Sequence, residues 1–185
     1  MYTASEDKLF AKPFELLLDQ RVINERVVQL GRRINRDYAG KTVVMVGILK
    51  GCVVFLADLM RHIELPVEVE FVSAASYRKG TIREKDLELG GPVEVSLRDR
   101  HVLIVEGIVD TGRTVATVRK MIESKEPASL EIVTLLDKPG SHRTKVDVKY
   151  RGFTIGNEFV IGYGLDNAQR YRNLPFVGRL RDDQT

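Results

Sequence analysis

The sequence predicts an α/β fold: a mainly parallel, twisted sheet flanked by helices. Three observations carry this. Short β-branched runs, such as TVVMVGIL at 42–49 and HVLIV at 101–105, are apolar on both faces, as strands of a covered parallel sheet are. Between them lie segments with apolar residues every three or four positions, the period of an amphipathic helix. Strands that alternate with helices imply right-handed crossovers that cover both faces. The 185 residues suit one domain, with no repeat or linker in view and the two termini left over to form a cap.

Each element follows in order. Residues 1–19 show no clean period. From Gln20 to Tyr38 the stripe Ile23, Val27, Leu30, Ile34 and Tyr38 predicts a helix, closed near Gly40. Thr42–Leu49 predicts a strand and Lys50-Gly51 a turn. Cys52–Ile63 carries Val53, Leu56, Ala57, Met60 and Ile63 at helical spacing, and Pro66 marks its end. Val67–Ala75 alternates apolar and acidic residues, which predicts a second strand. Ser76–Pro92 is long, charged and aperiodic, a composition that suits a functional lid. His101–Val105 predicts a strand ending in the acidic Glu106, Thr114–Ser124 a helix on Val115, Val118 and Ile122, and Leu130–Leu136 a strand. Glu158–Gly162 and Val146–Lys149 predict further short strands.

Composition narrows the class of function. With 43% hydrophobic and 30% charged residues the chain is globular rather than disordered. The net charge of +3 is spread along the chain, which suits a pocket for a phosphorylated small molecule better than a nucleic-acid-coating arm. Cys52 is the lone cysteine, so no intramolecular disulfide forms and a reducing compartment fits. MYTASEDKLF has no secretory pattern, and the longest apolar stretch, Val43 to Ala57, is broken by Lys50 and falls short of the ~18 residues a membrane helix needs. A cytoplasmic protein with neither a membrane nor a nucleic-acid partner is expected.

Ligands of open α/β sheets sit at the carboxyl ends of strands. After the third predicted strand comes Asp110-Thr111-Gly112-Arg113-Thr114, which opens a helix. Free N–H groups at a helix start form an anion site, Gly112 permits close backbone approach, and the Thr111 and Thr114 hydroxyls add donors. The plain alternative is that Asp110 or Thr111 caps the helix and Gly112 makes the turn. Neither GxxxxGK[ST] nor GxGxxG is present, so triphosphate hydrolysis has no sequence support.

The segment VLIVEGIVDTGRT resembles the phosphoribosyl-pyrophosphate (PRPP) motif of type I phosphoribosyltransferases, and its DTG ending is similar to the hypoxanthine-guanine members. Leu49-Lys50-Gly51 resembles their pyrophosphate loop, Ala75-Ser76-Tyr77 the start of their mobile loop, Lys138 their purine-contacting lysine, and Phe159–Asp166 with Arg172 their purine and pyrophosphate end. The likeness runs over roughly residues 20–180. It implies the type I fold, with a core at about 20–160 and a small hood from about 1–19 and 163–185. It also implies a purine-salvage enzyme that needs Mg²⁺ and transfers the phosphoribosyl group of PRPP to hypoxanthine or guanine, giving IMP or GMP and pyrophosphate. Dimers or tetramers are common in the family.

The resemblance also assigns roles. Asp110 would be the proton acceptor at the purine's imidazole edge. Asp110, Thr111, Gly112, Arg113 and Thr114 would cradle the 5′-phosphate. Glu106 and Gly107 would lie at the ribose, and Lys50, Gly51 and Arg172 at pyrophosphate. A non-proline cis peptide at Leu49-Lys50 is implied. Lys138 would donate to the 6-oxo group, which disfavours adenine. Phe159 would stack on the base, Val160 would act through its carbonyl, and Asp166 would serve purine and metal, with Glu106 as the second metal-side acid. Ser76 and Tyr77 would belong to the lid. Each has a plain alternative: a solvated lysine for Lys138, core packing for Phe159, a surface pair for Asp166 and Arg172. A nucleotide-sensing RNA-binding protein on the same fold, and a xanthine- or adenine-preferring enzyme, are the competing functions.

One position departs from the pattern. The motif carries two adjacent acids, and Gly107 stands in place of the second. A missing acceptor costs about 0.5–1.5 kcal/mol, so retained activity with a raised PRPP requirement is expected. Glycine is also expected to loosen the backbone beside the phosphate loop.

Overall fold

The computed structural model describes residues 14–76, 87–90 and 95–180. The elements, in chain order, are β1 (Phe14–Leu18), α1 (Gln20–Asp37), β2 (Val43–Leu49), α2 (Val53–Met60), β3 (Val67–Ser76), β4 (Leu87–Gly90), β5 (His101–Val109), α3 (Arg113–Glu123), β6 (Ser129–Asp137), β7 (Tyr150–Thr154), β8 (Val160–Ile161) and β9 (Val177–Leu180). The main sheet runs β4-β3-β2-β5-β6-β7. Five of its strands are parallel and β4 pairs antiparallel with β3.

Side chains alternate across a strand, so β2 feeds two cores. Val43 and Met45 join Ile23, Val27, Leu30 and Ile34 of α1 and Phe55, Leu56 and Leu59 of α2. Val44, Val46 and Ile48 join Val115, Val118 and Ile122 of α3 on the opposite face. Fully burying one such side chain stabilises the fold by about 1.5–3 kcal/mol. Asp19 caps α1 by accepting from the Val22 N–H at 2.9 Å. None of the helices among the described residues is long and apolar enough to cross a membrane.

A second, three-stranded sheet, here called the hood, runs in the order β1-β9-β8. Its own small core is Phe14, Ile161, Leu174 and Phe176. The strand at Val160–Ile161 is shorter than the predicted Glu158–Gly162.

Several expectations need correction. The third predicted strand does not end at Glu106: β5 continues through Gly107 to Val109, paired with β6 as far as Val109↔Asp137. Residues 146–149 are not a strand, which begins instead at Tyr150. Their alternation reflects packing of Val146 and Val148 against the α3-side core. The segment Ser76–Pro92 is not wholly aperiodic, since Leu87–Gly90 forms β4 on the sheet edge. Tyr77 lies outside the described residues, and Ser76 ends β3.

Candidate active site

The carboxyl ends of β2, β5 and β6 converge with the turn that joins β8 to the rest of the hood. After β5 the backbone bends through Asp110-Thr111-Gly112 into α3. Gly112 is the N-cap residue, with φ 77°, and no side chain caps the helix. The alternative in which Asp110 or Thr111 caps α3 is therefore not realised, and the N–H groups of the first turn remain available to an anion. A Cβ on Gly112 would lie 2.8 Å from Val146 Cγ2 and 3.0 Å from the Thr144 carbonyl oxygen. The same strap donates the Arg143 N–H to the Thr111 carbonyl at 3.0 Å. A cavity of about 120 Å³ opens here, lined by Glu106, Asp110, Thr111, Gly112 and Thr114 among others. Arg113 is exposed at the first helical position.

Glu106 is buried, and its Oε1 accepts from the Gly107 N–H at 2.9 Å. Burial pushes its carboxyl up to about 8, and the Gly107 and Ile108 N–H groups pull back only part of that; no basic side chain contributes. Gly107 is buried within β5. A Cβ there would stand 2.7 Å from the Gly51 carbonyl oxygen. Gly164, at φ 94°, approaches the same oxygen from the hood side, its Cβ position being 2.6 Å away. The Lys50-Gly51 loop is thus wedged between two glycines, with the implied Leu49-Lys50 cis peptide present.

On the hood side Arg172 donates to the Gly164 carbonyl at 2.7 Å and pairs with Asp166 Oδ1 at 2.7 Å. Asp166 Oδ2 accepts from the Gln169 N–H at 2.8 Å. The Gln169 side-chain oxygen in turn faces Lys50 Nζ at 3.5 Å and Arg172 Nη2 at 3.4 Å. Lys50, Asp166 and Arg172 are therefore one cluster, with two cations sharing a neutral oxygen. Gln169 is a member that sequence reading missed; its signal is the polar run N-A-Q-R between Asp166 and Arg172.

Lys138 follows β6 and is only 5% exposed, which excludes a solvated lysine. Its Nζ is 3.4 Å from Asp110 Oδ2, and its N–H donates to the Val109 carbonyl at 2.9 Å. Asp110 and Lys138 thus follow paired positions of neighbouring strands. Phe159 is 52% exposed and so is not core packing, whereas Val160 is buried at the start of β8. Sequence reading also missed Asp137, a fully buried acid at the end of an apolar strand, whose signal is that very placement.

Comparison with known proteins bears on this arrangement. The chain matches the family described as "Phosphoribosyl transferase domain" over residues 15–168. It is 42% identical over 169 residues to the hypoxanthine-guanine phosphoribosyltransferase of Streptococcus pneumoniae, covering 91% of this chain and 94% of that protein. It is also 42% identical to the hypoxanthine phosphoribosyltransferase of Escherichia coli K12, covering 90% and 94% respectively. A crystal structure of a hypoxanthine phosphoribosyltransferase from Staphylococcus aureus superposes with a TM-score of 0.89 at 36% identity, covering 99% of this chain and 98% of that one.

Proposed function

The chain belongs to the phosphoribosyltransferase family, and on that footing we propose that it is a purine-salvage enzyme converting hypoxanthine or guanine and PRPP to IMP or GMP and pyrophosphate. The observation that carries the substrate choice is the buried Lys138 ammonium 3.4 Å from Asp110, at the ends of adjacent strands. An ammonium offers only donors, which a 6-oxo group accepts and a 6-amino group cannot. A buried mismatch of that kind is strongly rejected.

In the reaction the bond from the anomeric carbon to pyrophosphate breaks and the bond to the purine nitrogen forms. Positive charge develops on the sugar, so catalysis rests on positioning and on stabilising the departing anion. The uncapped start of α3, with Thr111 and Thr114, holds the 5′-phosphate. Lys50, the Gly51 backbone and Arg172 receive pyrophosphate; Lys50 faces only the neutral Gln169 oxygen, and Arg172 is held in place by Asp166. Asp110 takes the proton from the imidazole edge, Phe159 stacks on the base, and the Val160 carbonyl meets its far edge. Glu106 lies at the ribose.

Mg²⁺ suits these donors. Among the described residues no group of three or more His, Cys, Asp or Glu forms a ready cage. That fits an ion held by one or two carboxylates together with substrate oxygens. Glu106, a buried acid without a cationic partner, and Asp166 would hold it, and it would neutralise phosphate charge. A homodimer or homotetramer is the proposed assembly, as is common in the family. The cytoplasm is the proposed location.

An absorbance assay with hypoxanthine, guanine, xanthine and adenine, each with and without PRPP and Mg²⁺, tests the reading. Turnover of hypoxanthine or guanine that requires both is the expected result. Absence of turnover with every oxopurine overturns it, and RNA retention on a filter in its place would favour a binding protein.

A further inference from the structure

A carboxylate at the end of an apolar strand needs partners, and Asp137 has one for each oxygen. His142 Nε2 lies 2.8 Å from Oδ1, and Arg151 Nε donates to Oδ2 at 2.6 Å. The acid is fully buried. Its partners come from two sides: Arg151 from β7, and His142 from just beyond the single 3₁₀ turn Pro139–Ser141. The Asp137 carbonyl is also engaged, accepting from the Ile155 N–H at 2.9 Å.

Lys138 sits between these attachments. The residue before it, Asp137, is fixed by Arg151 and by the Ile155 N–H, and the turn after it is tied back through His142. The same turn closes on Lys138 by the Ser141 N–H to the Lys138 carbonyl at 2.9 Å. Ser141 Oγ further meets Asn157 Oδ1 at 2.6 Å, joining the turn to the segment that leads into Phe159. Lys138 is one of the longest and most flexible side chains, and a donor of that kind selects a base only when its stem is held.

We propose that Arg151, Asp137 and His142 form a clamp that positions Lys138 for the exocyclic oxygen of the base, which makes them positioning residues for oxopurine selection. This rests on the reading of Lys138 as the base contact. Removing His142 leaves a buried carboxylate oxygen without a donor and frees the turn that carries Lys138. The clamp has no bond to Lys50, Asp166 or Arg172, but His142 precedes Arg143, whose N–H donates to the Thr111 carbonyl of the phosphate turn at 3.0 Å, so its loss acts first on the base and more weakly on PRPP.

The test is steady-state kinetics with hypoxanthine, guanine, adenine and PRPP varied in turn, for wild type, His142→Ala, His142→Gln, Arg151→Met and Arg151→Lys, alongside thermal melts. In His142→Ala the KM for both oxopurines is expected to rise on the order of tenfold, as the loss of a donor to a buried acid implies. The KM for PRPP rises by clearly less, and discrimination against adenine narrows. Glutamine at 142 offers an N–H to the same oxygen and restores most of the affinity, as lysine does in part at 151. An unchanged base KM in His142→Ala overturns the proposal, as does a rise shared equally with PRPP or a glutamine variant no better than alanine. Failure of the wild type to turn over any oxopurine overturns the functional reading as well, which distinguishes the two.

Discussion

At position 107 a missing side chain decides where the neighbouring loop can sit. From the sequence, Gly107 reads as a lost hydrogen-bond acceptor that weakens PRPP binding. In the structure it is a buried strand residue whose Cβ position lies 2.7 Å from the Gly51 carbonyl oxygen. An acid cannot be restored there without displacing the Lys50-Gly51 loop. Overpacking against backbone costs about 1–3 kcal/mol. Gly107→Asp is therefore expected to lower the melting temperature and to raise the KM for PRPP; a lower KM with an unchanged melt would show that the acid's hydrogen bonds outweigh the clash. Cys52 is the second case at this scale. It is fully buried, and burial pushes its thiol up to about 12, with Glu106 adding to the effect. At pH 8 the folded protein should resist Ellman's reagent and react at once in denaturant, whereas fast labelling of the native state would contradict its placement.

The turn at 162–165 is the element that locks hood to core. It carries three successive positive φ values, at Gly162, Tyr163 and Gly164. Tyr163 is buried and donates to Asp58 of α2 at 2.6 Å, and burial with that bond raises its phenol pKa. Tyr163→Phe is expected to cost about 1 kcal/mol in urea unfolding, the ordinary worth of a buried hydrogen bond. An unchanged unfolding midpoint would mean that Leu165 and Gly164 hold the turn alone. Elements of this kind were the least legible in the sequence. The long helices and the strands β2, β5 and β6 announce themselves because each must bury a periodic face. β1 and β9 are five and four residues long, too short for a period to betray them, and β8, expected over Glu158–Gly162, is only two. Residues 146–149 misled for the opposite reason: their alternation is genuine, but it serves contact with the α3-side core rather than a ladder.

For the whole molecule, the parallel sheet brings together residues that are distant in sequence. Lys50, Asp110 and Lys138 stand just after strand ends and Glu106 lies in the last half of β5, so all four were readable once the strands were placed. Phe159, Asp166 and Arg172 were readable only through their motif. The His142–Asp137–Arg151 clamp and the glycines that wedge Gly51 were not readable, because each depends on contacts between segments that no local pattern encodes. We propose that this strand-end cluster transfers a phosphoribosyl group with Asp110 as proton acceptor. The most direct measurement is the rate of PRPP-dependent IMP formation by the wild type beside Asp110→Ala. The wild type should form IMP, and the variant should be slower by about 10²–10⁴, the usual contribution of a positioned proton acceptor. No IMP from the wild type, or an Asp110→Ala rate equal to the wild type's, would contradict it.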